Sequence, residues 1–221
     1  MEMDHALNMK PVSVIAPANA RGERLDLCDQ RAAPRFNLLM RAARLVFGSG
    51  EFVCVLRDVS EVGLSLRMFH RPPSDHRAQL HMPGGNSYDL RPVWIRGLEA
   101  GFEFVAPIDT ARLISEVGQY PKRGVRLDLC FPIHVRTVTH HCEAIVENLS
   151  QQGARFESDS ALAIDQSLQI ESAVSNTGFP SLRAKVRWRR GEQYGVVFDD
   201  TFTLADFARL AAKVQAPGLL D

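Results

Sequence analysis

The chain has 221 residues, 45% hydrophobic and 24% charged, with 26 basic and 26 acidic side chains and no formal net charge. That length suits one large domain or two of about 100 residues, either able to bury a core without cross-links. Charge balance argues against wholesale binding to nucleic acid or an anionic membrane, and no apolar run reaches the ~20 residues of a membrane span.

Residues 1–28 contain Pro11 and Pro17 and little periodicity, which predicts an extension of uncertain order. They lack the charged start, apolar stretch and small-residue cleavage site of a secretory leader. The four cysteines form no C-x-x-C, so a cytoplasmic, reduced protein is expected. Cys54, Cys130 and Cys142 lie in or beside apolar runs, where buried thiols are expected.

From residue 29 the elements come in order. "FVCVL" (52–56) is rich in β-formers, and "LSLRM" (64–68) places Leu64, Leu66 and Met68 on one face of a strand. Gly84-Gly85 marks a turn, and a short helix is predicted from about Asp109 to Val117. Gly and Pro punctuate the chain at Gly118-Gln119-Tyr120-Pro121. "CEAIV" (142–146) then reads as a strand. In "LRAKVRW" (182–188), Leu182, Ala184, Val186 and Trp188 alternate with Arg183, Lys185 and Arg187, which predicts a half-buried antiparallel strand. A turn at Gly191 leads into "YGVVF" (194–198), a hairpin. Helical spacing of Leu204, Phe207, Leu210, Ala211 and Val214 follows, with Thr203-x-x-Asp206 as a capping box.

The second series repeats the first. "RAAPRFNL" (31–38) matches "KRGVRLDL" (122–129), "RDVSEVGLSLR" (57–67) matches "ENLSQQGARFE" (147–157), and "WIRGLEAGFEF" (94–104) matches "WRRGEQYGVVF" (188–198). Three landmarks in one order at nearly constant offsets indicate a tandem duplication. The predicted fold is all-β with short helices: two tandem antiparallel β-barrels, each followed by a helix. The predicted boundaries are an extension over 1–28, a first domain over 29–118, a second over 119–215 and a tail over 216–221.

The repeated residues resemble the PilZ family, whose signature is R-x-x-x-R followed by [D/N]-x-S-x-x-G. The first half has it in full: Arg31 and Arg35, then Asp58, Ser60 and Gly63. The second half has a looser version, with Lys122, Arg123 and Arg126, then Asn148, Ser150 and Gly153. The resemblance implies a β-barrel that binds the bacterial second messenger cyclic di-GMP, and a signalling receptor or adaptor rather than an enzyme. The chemistry agrees. Arginine's planar fork matches guanine's O6 and N7 and also binds phosphodiesters. A carboxylate or amide oxygen accepts from guanine N1–H and N2–H, a serine hydroxyl adds a short contact, and glycine allows positive φ and close approach. Lys122 keeps a charge but loses the fork, so the nucleotide is expected mainly on the first half. Binding is expected to close the Arg31–Arg35 segment onto the barrel and alter a contact with a protein partner.

Other candidates read as structure. His140-His141-Cys142 puts adjacent histidines on opposite faces of a strand, so no metal site is expected. The alternating basic run from Arg183 to Arg190 reads as a solvated sheet face rather than a site for DNA or RNA. Trp94 and Trp188 read as packing residues, and the C-terminal helix as packed on its own barrel. Neither a catalytic motif nor a cofactor-binding motif is present. The rival from another class is a protein-interaction scaffold whose barrels no longer bind ligand.

Overall fold

The computed structural model describes residues 36–119, 124–174 and 178–220, and of 36–40 and 116–119 the backbone alone. The predicted extension, Arg31, Arg35, Lys122 and Arg123 lie outside the described residues.

The first half contains β1 (Phe36–Phe47), β2 (Gly50–Val59), β3 (Gly63–Met68), β4 (Ala78–His81), β5 (Ser87–Arg96), β6 (Glu99–Phe104) and α1 (Thr110–Gln119). All neighbours pair antiparallel, and the order β1-β2-β3-β6-β5-β4 closes back on β1. The second half contains β7 (Arg126–Leu127), β8 (Phe131–Arg136), β9 (His141–Ser150), β10 (Gly153–Glu157), β11 (Ser167–Ser172), β12 (Leu182–Arg190), β13 (Gln193–Phe198) and α2 (Leu204–Gln215). Its order β8-β9-β10-β13-β12-β11 also closes, with β7 added alongside β9. The six strands of each barrel therefore follow one order, with β7 as an extra strand of the second half. Closure removes the sheet edges that an open antiparallel sheet would expose.

Alternation fills each interior. Leu45, Phe52, Cys54, Leu56, Leu66, Met68, Leu80 and Phe102 build the first core. Leu127, Ile133, Val146, Phe156, Ile170, Val186 and Tyr194 build the second. Tyr194 is fully buried and stacks on Phe156 at 5.6 Å. Its hydroxyl donates to the Ser160 carbonyl (2.8 Å), which offsets burial of the polar group.

The strand face predicted for Trp188 is corrected. A register shift between Val186 and Trp188 turns its side chain outward, leaving it 38% exposed. The indole lies flat against Gly195 on β13, where a Cβ would approach its Nε1 to 2.0 Å. Trp94 repeats the arrangement with the same bulge, over Gly101. Arg96 and Arg190 then cover the two indoles, 5.5 and 5.7 Å from the ring centres. The cysteines also divide: Cys54 is buried as expected in the first core, Cys142 is half-buried at the inward-facing start of β9, against the second core, and Cys130 is exposed just before β8.

Helix α2 begins at the expected cap. The Thr203 hydroxyl oxygen accepts from the Asp206 N–H (3.1 Å). The helix does more than cover its own barrel. Phe207, Ala208, Leu210 and Ala211 enter the second core, while Ala212, Ala216 and Leu219 pack on the first. Gln215 closes the contact: its amide oxygen accepts from the Glu51 N–H (2.8 Å) and its amide nitrogen donates to the Glu51 carbonyl (2.6 Å).

Candidate functional site

Both copies of the serine motif form the turn between equivalent strands, β2–β3 and β9–β10. In the first copy the Ser60 hydroxyl donates to the Gly63 carbonyl (3.1 Å) and accepts from the Gly63 N–H (3.2 Å). In the second, the Ser150 hydroxyl donates to the Gly153 carbonyl (3.0 Å). Each turn is stitched to the end of its barrel. The Phe104 and Ile108 N–H groups donate to the Val62 and Glu61 carbonyls, and the Phe198 and Phe202 N–H groups to those of Gln152 and Gln151. The motif thus ties each turn to the chain at and just beyond the end of β6 or β13.

The glycines have a different role from the one expected. Neither Gly63 nor Gly153 has positive φ. Each lies against the last strand of its barrel, where a Cβ would meet the Phe102 carbonyl oxygen at 2.6 Å or the Val196 carbonyl oxygen at 2.1 Å. Backbone packing, rather than a left-handed turn, requires glycine there.

The two turns differ in what surrounds them. Ser60 is 3% exposed, and the Asp58 carboxylate accepts from the Ser65 hydroxyl (2.5 Å). The nearby arginines are paired, Arg57 with Glu99 (2.7 Å) and Arg91 with Glu103 (3.9 Å). At the second turn, Asn148 and Ser150 border a cavity of about 270 Å³ that Arg126, Arg155, Arg187 and Trp188 also line. Glu61, Glu99 and Glu103 correspond there to Gln151, Gln193 and Val197. The second face lacks those three carboxylates and carries three arginines, while Glu147 stands where the first copy has Arg57; the balance favours an anion at Arg126 and Arg187. Arg155 is partly engaged, 2.7 Å from Glu147, and Arg187 lies 3.3 Å from Asp165.

A larger groove of about 710 Å³ shares Arg126, Ser150 and Gln152 with that cavity and runs between the barrels. Its far wall is Arg44 on β1 and His81 on β4, with the turn at Met82, Pro83 and Gly85. Sequence reading did not single out Arg44 or His81. Strand alternation puts both outside the first barrel, but only packing shows that the second barrel stands opposite. Among the described residues, no three His, Cys, Asp or Glu converge as metal ligands, and no helix is long and apolar enough to cross a membrane.

Residues 121–216 match the family model of the PilZ domain. The matched stretch is the second barrel with its helix α2, and the first barrel repeats the same strand order. The match falls on the half with the looser arginine motif.

No curated protein matches the chain. Among solved structures, the PlzA protein of Borreliella burgdorferi in complex with c-di-GMP is 14% identical, with a TM-score of 0.34, over 80% of this chain and 88% of that one. YcgR of Escherichia coli in complex with c-di-GMP is 10% identical, with a TM-score of 0.31, over 76% and 79%. The Bacillus subtilis inhibitor of motility is 11% identical, with a TM-score of 0.34, over 81% and 98%.

Proposed function

We propose that this chain is a cyclic di-GMP receptor that conveys occupancy to a protein partner, and that the groove beside the second serine turn takes the nucleotide. The observation that carries the reading is the cavity in the PilZ-matched half. There Asn148 and Ser150 stand beside Arg126, Arg155 and Arg187, and the carboxylates of the first copy have been replaced. An arginine fork suits guanine O6 and N7 or a phosphodiester, and the Asn148 amide oxygen suits a guanine N–H. Roles are thus available for both the base and the backbone of the ligand.

A second reading keeps the nucleotide on the first half, where Arg31, Arg35, Asp58, Ser60 and Gly63 complete the motif in sequence. Calorimetric titration with cyclic di-GMP separates the two. A charge-assisted bond is worth about 1.5–3 kcal/mol, so Arg126→Gln should weaken binding by one to two decades. Arg31→Ala/Arg35→Ala should leave it within about twofold. The reverse ranking assigns the nucleotide to the first half. No heat from the wild type favours the interaction scaffold, whose partner capture should be indifferent to nucleotide.

A further inference from the structure

The groove has a second wall whose side chains already bridge the barrels. Arg44 Nη1 contacts the Glu51 carboxylate (3.1 and 3.2 Å) and Asp128 Oδ2 (3.4 Å). Glu51 Oε2 also accepts from the Asp128 N–H of the second barrel (2.8 Å). Glu51 is therefore held three ways, by Arg44, by the Asp128 backbone and by the Gln215 amide on its own backbone.

The other side of Arg44 is equally defined. Its Nη2 lies 3.2 Å from His81 Nδ1, the residue directly opposite on β4. A guanidinium only donates, so Nδ1 is the acceptor and the imidazole proton sits on Nε2. Nε2 donates to Gln79 Oε1 (2.6 Å), and Gln79 Nε2 donates onward to Asp89 Oδ1 (2.9 Å). This chain fixes the ring and aims Arg44 at the seam that opens into the groove.

We propose that Arg44 is a further ligand-binding residue, contributed by the first barrel, and that an anionic phosphodiester in the groove draws it from Glu51 and Asp128. The inference rests on the reading that the second copy's groove takes the cyclic dinucleotide. Phosphate and carboxylate oxygens both accept charge-assisted bonds from a guanidinium, so Nη1 can exchange Glu51 and Asp128 for a phosphodiester oxygen while Nη2 stays on His81. The Asp128 side chain is 67% exposed, so its contact is the weaker one to break. Occupancy then removes one of the ties between the barrels, and the change at the seam is what a partner can read.

The test sets two substitutions against each other by calorimetric titration with cyclic di-GMP, with thermal melts confirming that each variant folds. Arg44→Gln removes a ligand contact and should weaken binding about ten- to hundredfold. Glu51→Gln removes the competing carboxylate and should tighten binding severalfold. A purely structural Arg44–Glu51 pair predicts instead that both variants move binding in the same direction, or not at all, and that result overturns the inference. Binding abolished by Arg126→Gln but untouched by Arg44→Gln overturns this inference alone. No binding by the wild type overturns the underlying reading as well.

Discussion

His70 sits inside the first barrel at 2% exposure, with its ring centre 4.9 Å from that of Phe52. Nδ1 lies 2.8 Å from the Arg71 carbonyl oxygen, and Nε2 is buried with no hydrogen-bond partner. A proton on Nε2 would therefore be buried uncompensated, and burial pushes the imidazole below its ordinary value of 6.5. His81 shifts the same way, through burial and then the Arg44 charge, with Glu51 opposing. For both, the unfolded chain binds protons that the folded chain refuses. Stability is accordingly full above the unfolded value of 6.5 and declines as pH falls below it. Urea unfolding at about pH 7.5 and 5.5 should show this loss, and His70→Gln, which keeps a donor for the Arg71 carbonyl, should reduce the pH dependence. An unchanged pH slope in that variant would mean that His70 is not responsible. Cys54 is similarly sequestered: burial pushes its thiol up to about 12, so it should resist alkylation in the folded protein while exposed Cys130 reacts.

At the scale of elements, the repeated hairpins explain why certain residues recur. Trp94 over Gly101 and Trp188 over Gly195 fix β5 to β6 and β12 to β13 at matching bulges. The serine turns fix β2 to β3 and β9 to β10. Helix α2 depends on its cap. Thr203→Ala should destabilise the protein by about 1 kcal/mol, because the Asp206 N–H loses its acceptor. Thermal denaturation followed by circular dichroism measures this, and Thr203→Ser should restore most of the loss.

For the whole molecule, the consequential contact is the one that α2 makes with the first barrel. Gln215 satisfies both backbone groups of Glu51, and the Arg71 N–H donates to the Leu219 carbonyl (2.9 Å) just beyond the helix. Gln215→Ala strands two partly buried backbone groups, an effect of about 1–3 kcal/mol per group. We expect the denaturation curve to separate into two transitions, the first barrel unfolding earlier. A single, merely shifted transition would show that apolar packing of Ala212, Ala216 and Leu219 suffices to couple the barrels.

The sequence by itself determined the repeat, the barrel class, most strands, the capped helix and the two serine turns. It could do so because each is a local pattern: period two, helical spacing, a cap three residues from its partner, or a motif whose residues are neighbours in the chain. It did not determine which way Trp188 faces, since one bulge reverses every later side chain and leaves no mark on the alternation. It assigned Gly63 and Gly153 to a turn conformation when their reason is the Phe102 or Val196 carbonyl across the sheet. It ranked the two copies by motif completeness, and it gave no sign of the cavity that Asn148, Arg155 and Arg187 line together, which only the fold assembles. Arg44, His81, Glu51 and Asp128 were silent in the sequence because they become neighbours only when one barrel is laid against the other. Tertiary structure alone decided that juxtaposition, because it joins side chains as many as 84 residues apart across a seam that no local pattern encodes.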